Sequence, residues 1–255
     1  MKIQLLYILG STRSGTSALR NAISETRYAG YGEGHLVPML QGLISVVRHH
    51  KHEGVGCDTS GNGLFLMKEH VMIRHLVHAY EMYLRESIGV STILDKTPTV
   101  DPISAAPDLN NFHEAPRFIH CSRRHIDNIL SKQKKFPDAS FVKQCTEWAR
   151  CNSAWMDSKT KLSGNYVDFD YFDLVNDTRE TCKRIGTYLE LDNQEIDAMV
   201  NYLVSKRPEG APGRDLTRFK KLSETPWSDE QREQFQAICG EVGEQLGYGM
   251  EEYFA

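Results

Sequence analysis

Residues 8–20 read Ile8-Leu-Gly-Ser-Thr-Arg-Ser-Gly-Thr-Ser-Ala-Leu-Arg20, and this stretch decides the fold. The apolar run Ile3–Leu9 before it has the composition of a buried strand. Thr16–Glu25 after it has the pattern of a helix. A strand, a glycine-bearing turn and a helix make the setting in which a chain binds an anion. Gly10 and Gly15 permit the tight turn and a close backbone approach. The unsatisfied N–H groups at the helix start then face the anion, with the positive end of the helix dipole behind them. Gly10 and Gly15 have the spacing of the nucleotide loop G-x-x-x-x-G-K-[ST], but Thr16 stands where the lysine belongs and Ser17 follows it. The cation lies inside the loop instead, at Arg13, whose guanidinium can hold two anionic oxygens at once.

Working outward, composition sets the limits. The chain has 255 residues, 40% hydrophobic and 25% charged, with a net charge of -4. This suits one α/β domain over residues 1–255 with a sizeable core. The charge argues against nucleic acid or an anionic membrane as the principal partner. No apolar run approaches a membrane span, and the N-terminal run lacks the flanks of a signal peptide. The six cysteines are scattered without a C-x-x-C pair, the usage of a reduced, cytoplasmic protein without a zinc site.

Further along, Tyr28-Ala-Gly-Tyr-Gly-Glu-Gly-His35 is a bend carrying one carboxylate, Glu33, and one imidazole, His35. Residues 36–47 read as a helix, 51–63 as a glycine-rich loop, and 66–86 as an amphipathic helix. His70, His75 and His78 on the last of these lack metal-pair spacing and read as surface or partly packed residues. Val90–Pro98 is a second strand, placing Lys96 at its carboxyl end, where open parallel sheets form their ligand crevice. Residues 99–115 read as a loop. Arg117–Arg124 is a third strand, followed by a helix from Ile126 to Phe136. Arg123 and Ser131 are placed to reach one anion, and Lys135 lies one turn further. Phe141–Leu162 is a helix whose Trp148 and Trp155 belong to the core. Asn165–Val175 is a fourth strand with its exit. Helices over 177–189, 195–204 and 230–246 complete the chain, the first capped by Asn176 or Asp177 and the last by Ser228. The long segment Lys206–Trp227 is rich in basic residues.

Three motifs together resemble the sulfotransferases that use 3′-phosphoadenosine 5′-phosphosulfate (PAPS). They are G-S-T-R-S-G-T-S at 10–17, Arg123 with Ser131 eight residues on, and D-K-T-P at 95–98. Tyr171-Phe-Asp-Leu174 and Leu246-Gly-Tyr248 are weaker echoes. The resemblance implies a three-layer α/β sandwich with a central parallel sheet, the P-loop sulfotransferase fold. It implies that Arg13, Ser14, Gly15, Thr16, Ser17 and Ala18 hold the 5′-phosphosulfate, and that Arg123 and Ser131 hold the 3′-phosphate with help from Lys135. A basic loop with Arg218, Lys220 and Lys221 would fold over the nucleotide. Arg13 and Lys96 would meet the charge on the leaving group, and no metal would be needed. The product is 3′,5′-adenosine bisphosphate. Tyrosylprotein relatives place a glutamate base in a G-E-E segment; here the segment is Gly32-Glu33-Gly34-His35, so Glu33 is the first choice of base and His35 the second. The expected acceptor is a small molecule, met in the cytoplasm, and a homodimer is compatible with the sequence. The alternatives are a P-loop kinase, for which Asp95 is the one candidate to hold magnesium, and a nucleotide-binding relative without turnover.

Overall fold

The computed structural model describes residues 4–113, 115–206 and 219–255. Four parallel strands, β1 (Gln4–Gly10), β2 (Thr92–Lys96), β3 (Pro116–Ser122) and β4 (Tyr166–Asp170), make one sheet in the order β2-β1-β3-β4. The helices in chain order are α1 (Thr16–Ile23), α2 (Val37–Glu53), α3 (Gly63–Leu66), α4 (Glu69–Ile88), α5 (Val100–Phe112) and α6 (His125–Lys135). They continue with α7 (Phe141–Lys159), α8 (Tyr171–Asn176), α9 (Thr178–Leu189), α10 (Asn193–Ser205) and α11 (Asp229–Gln245).

β1 is buried on both faces because its alternate residues enter two different cores. Leu5, Tyr7 and Leu9 pack with residues of α2, α4 and α5 and with Trp155 of α7. Leu6 and Ile8 pack with α1, α9 and α10. A third cluster joins α6, α7 and α11 around Trp148, Trp227 and Phe235. This layering, helices over both faces of a parallel sheet, is what a continuous apolar first strand requires. Trp148 and Trp155 are both core residues, as expected, though they serve different clusters. The chain leaves β1 toward β2 on one side and returns to β3 on the other. The strand ends of β1 and β3 therefore flank the crevice where such sheets receive ligands.

Several local expectations are corrected. Residues 99–115 are not a loop: α5 occupies most of them, burying Ile103, Ala105, Ala106 and Leu109. Pro102 and Pro107 disguise it; proline is tolerated in a first turn, and the second sits inside the helix. The glycine-rich loop is shorter than it reads, since α2 runs on to Glu53 and α3 forms before Met67. The fourth strand stops at Asp170, whose carboxylate accepts the Phe172 amide at 2.6 Å and starts α8. Asp177 stands at the start of α9 but makes no capping bond with its side chain. Ser228 caps α11 as expected, accepting the Gln231 amide at 3.2 Å. Leu222–Glu224 is a short 3-10 turn within the basic segment. His70, His75 and His78 are exposed, and all six thiols are free.

Candidate active site

The turn after β1 is shaped by backbone and braced from the neighbouring helices. Gly10, Arg13 and Gly15 have φ of 144°, 69° and 91°. Only glycine adopts the first and last at little cost, and a Cβ at Gly15 would also overlap the Tyr171 ring. Arg13 is an arginine in a left-handed conformation, a local cost the surroundings must impose. They do so through Asn128 of α6, whose side-chain amide donates to Ser11 Oγ (3.1 Å), the Thr12 carbonyl (3.0 Å) and Ser14 Oγ (3.1 Å). Ser11 and Ser14 share a further 2.9 Å hydrogen bond. On the outer side, Thr12 donates to Glu147 of α7 at 2.8 Å. Glu147 in turn lies 3.5 Å from the buried Lys132 ammonium, whose pKa burial lowers and the Glu147 charge partly restores. The loop is thus held open by contacts among its own neighbours. The Ser14 hydroxyl belongs to this brace. Thr16 and Ala18 are buried in the first turn of α1, while the Ser17 side chain is exposed.

Arg13, expected at the 5′-phosphosulfate, is brought beside Arg123 and Ser131, expected at the 3′-phosphate. Arg13 Nε donates to Ser131 Oγ at 3.0 Å, and an Arg123 terminal nitrogen donates to the Arg13 carbonyl at 3.0 Å. Arg123 follows the end of β3 and Ser131 sits on α6, so strand, helix and loop meet here. The Arg123 guanidinium stacks over Tyr171, 4.6 Å from its centroid. Burial first, and then the adjacent Arg123 charge, lower the Arg13 pKa. Two guanidiniums drawn together beside a helix N-terminus suit a multiply charged anion between them.

A second group forms beside the loop, at the end of β2. Lys96 pairs in register with Ile8, two residues before Gly10. Its buried ammonium donates to Glu33, and His35 Nε2 lies 3.2 Å from the other Glu33 oxygen. The Lys96 hydrogen bond chiefly, opposed by burial, holds the Glu33 carboxyl below the usual range. Glu33 and His35 side chains are 46% and 57% exposed, so this carboxylate is open to a ligand while its lysine partner is not. Beneath the turn, the Thr97 hydroxyl accepts the His35 amide at 3.0 Å and faces the buried Asp95 carboxylate at 3.5 Å. Glu33, His35 and Lys96 are therefore brought together.

The remaining expected residues divide. Lys135 is exposed in the last turn of α6, and the Lys220 and Lys221 side chains are exposed. Arg218 lies outside the described residues. The backbone at 220 is nevertheless tied to the site: the buried Arg124 donates to the carbonyls of Lys220 (2.6 Å), Gly249 (2.9 Å) and Met250 (2.9 Å) and pairs with Asp127 at 3.3 Å. The C-terminal Tyr248 and Tyr253 hydroxyls donate to Asp170 at the end of β4. Asn128, Glu147, Thr97 and Arg124 escaped the sequence reading. Arg124 and Thr97 sit next to residues that were named, and Asn128, on α6, falls between Arg123 and Ser131. Glu147 carries no local signal. Among the described residues no helix is long and apolar enough to cross a membrane, and no group of acidic, cysteine or histidine side chains is arranged to hold a metal.

Comparison with known proteins agrees with this architecture. Residues 6–195 match the model of the sulfotransferase family, and the chain belongs to that family. Among solved structures, the sulfotransferase domain of the olefin synthase from Synechococcus PCC 7002 is similar at a TM-score of 0.61 and 21% identity, over 98% of this chain and 97% of that one. Sulfotransferase STF9 from Mycobacterium avium is similar at 0.54 and 12% identity, over 98% and 79% of the two chains. Sulfotransferase STF1 from Mycobacterium tuberculosis H37Rv follows at 0.52 and 13%, over 93% and 78%. These likenesses concern the fold. No curated protein matches the sequence.

Proposed function

We propose that this enzyme transfers the sulfuryl group of PAPS to a hydroxyl or amine of a small-molecule acceptor in the cytoplasm, an activity of class EC 2.8.2. The observation that carries the reading is the convergence of Arg13, Arg123 and Ser131 on the loop before α1, with the Glu33–Lys96 pair at the next strand end. Family membership supports the reaction type and stands against the kinase alternative. So does the position of Asp95, whose carboxylate is turned under Gly34 and Thr97.

In this reading the backbone N–H groups at 14–18 and Arg13 bind the 5′-phosphosulfate, and Arg123 and Ser131 bind the 3′-phosphate. The donor set fits: two guanidiniums, a hydroxyl and a helix N-terminus are chemistry for phosphate and sulfate oxygens. Glu33 takes the proton of the acceptor as its oxygen or nitrogen forms a bond to sulfur. The bond between sulfur and the 5′-phosphate oxygen breaks, and the electron pair leaves with 3′,5′-adenosine bisphosphate. Lys96 and Arg13 stabilise the charge growing on that oxygen. As Glu33 becomes neutral, Lys96 is released toward the leaving group, so the same ion pair serves base and electrophile in turn. His35, hydrogen-bonded to Glu33, is the second basic group at the acceptor.

The test is transfer of label from [35S]PAPS to a panel of small hydroxyl and amine acceptors, with Mg-ATP and peptide acceptors as controls. Labelled small-molecule product that depends on PAPS supports the proposal. Transfer confined to peptides or polysaccharides overturns the acceptor assignment, and phosphoryl transfer from ATP overturns the donor.

A further inference from the structure

The transfer steps leave Asp95 without a role, yet it occupies a particular place. It is 7% exposed and lies directly under the turn that carries Glu33 and His35. A Cβ built on Gly34 would overlap Asp95 Oδ1, so the carboxylate fills the space in which a side chain at 34 would begin. This gives the glycine in Glu33-Gly34-His35 a reason: a side chain at 34 would force the Asp95 carboxylate out of its place.

The turn needs holding. His35 has φ of 50°, a left-handed conformation that a residue with a side chain adopts only when its surroundings impose it. The end of β2 supplies the restraint. The Gly34 amide donates to the Lys96 carbonyl at 3.4 Å, and the His35 amide donates to Thr97 Oγ at 3.0 Å. A threonine hydroxyl has one proton. With the His35 amide on its lone pair, that proton is directed at Asp95 Oδ2, 3.5 Å away. The order is therefore His35 N–H to Thr97 O–H to Asp95, each group donating to the next.

We propose that Asp95 is a positioning residue: by filling the space under Gly34 and orienting Thr97, it locks the 33–35 turn so that Glu33 faces Lys96 and the acceptor. The lock follows from the geometry alone; its effect on turnover rests on the sulfuryl-transfer reading above.

The electrostatics agree. Asp95 is faced by Tyr7 of β1, Tyr80 of α4, His35 of the turn and Lys96 of its own strand. Burial chiefly raises its pKa to about 6. A carboxyl raised in the folded state favours folding most at low pH, and that stability is lost as pH rises through about 6. Holding it ionised at neutral pH costs stability, so a purely structural aspartate would be ill placed here. Replacing it by asparagine should leave the protein as stable as before, or more so, at pH 7.5.

The experiment uses the full chain as Asp95→Asn and, separately, Thr97→Val, which removes the hydroxyl and keeps the shape. Amide hydrogen exchange at 33–35 is read at pH 7.5 beside thermal stability and turnover. Expected are exchange at least ten times faster at Gly34 and His35 in Thr97→Val and a smaller increase in Asp95→Asn, whose amide oxygen still accepts from Thr97 but without charge, with an undiminished Tm for Asp95→Asn, unchanged affinity for 3′,5′-adenosine bisphosphate, and a kcat about tenfold lower in Thr97→Val with little change in KM. The wild-type profile is expected to show an acid-limb inflection near pH 6, absent in Asp95→Asn. Unchanged exchange in both variants overturns the lock, whatever the activity. Faster exchange with wild-type kcat and pH profile overturns the positioning role. Should Asp95→Asn fail to fold, Thr97→Val still decides the lock. Failure of the sulfotransferase reading looks different: the wild type then neither binds the bisphosphate nor turns over PAPS, while the exchange result stands by itself.

Discussion

The two halves of the candidate site are built on opposite plans. The turn after β1 is braced by neutral donors, with Asn128 reaching Ser11, Thr12 and Ser14 at 3.0–3.1 Å, and its conformation depends on glycines. The turn at 33–35 is held to β2 by ionisable groups: Lys96 on Glu33, Glu33 on His35, and Asp95 beneath. The first plan suits a partner of fixed shape and charge, which needs a preformed cradle. The second suits proton transfer, which needs groups that change charge and still return to place. Variants on the first side should act through binding and those on the second through turnover, and each prediction below can break that division.

The largest effects belong to the ionisable side. Glu33→Gln should lower kcat by ~10²–10⁴, with bisphosphate affinity intact; a variant with full turnover would pass the role of base to His35. The Glu33 carboxyl is held below its usual range, so its base form is lost only as pH falls through that lowered value. An acid limb near pH 6 that is absent in Asp95→Asn would then belong to Asp95 rather than to Glu33. Lys96→Met should lower kcat by ~10²–10³ and change KM little. A rise in KM alone would mean that Lys96 binds the nucleotide and does no more.

Effects on the braced side should be smaller and fall on affinity. Arg123→Ala is expected to weaken the bisphosphate by ~10–100-fold, read by calorimetry. Asn128→Ala removes the shared donor of the loop and should cost ~1–3 kcal/mol of stability with a parallel loss of nucleotide affinity; a drop in kcat without either would blur the division. Ser228→Ala, at the cap of α11 and away from both halves, should cost ~1 kcal/mol in denaturant unfolding and leave both kinetic constants alone.

The same contrast explains what could be read from sequence. Gly10 and Gly15 announce a loop because the backbone geometry itself demands glycine there, Arg13 supplies its charge, and Arg123 with Ser131 keeps a fixed strand-to-helix spacing. Lys96 was placed by the rule that ligands gather at strand ends. Glu33 and His35 were visible as ionisable groups on a glycine-rich bend, but their tie to Lys96, some sixty residues away, is a tertiary fact. Glu147 and the role of Asp95 are likewise set by contacts across the fold. The helix α5 stayed hidden for a local reason, since Pro102 and Pro107 read as breakers although the chain buries Ile103, Ala106 and Leu109 on one face.

The most direct measurement is calorimetric titration of the wild type and Arg123→Ala with 3′,5′-adenosine bisphosphate and, in parallel, with Mg-ATP. Micromolar or tighter binding of the bisphosphate without magnesium, weakened ~10–100-fold in the variant, is the expected result. Preference for Mg-ATP, or bisphosphate binding that ignores the loss of Arg123, would contradict the central claim that Arg13, Arg123 and Ser131 form a site for a 3′-phosphorylated nucleotide.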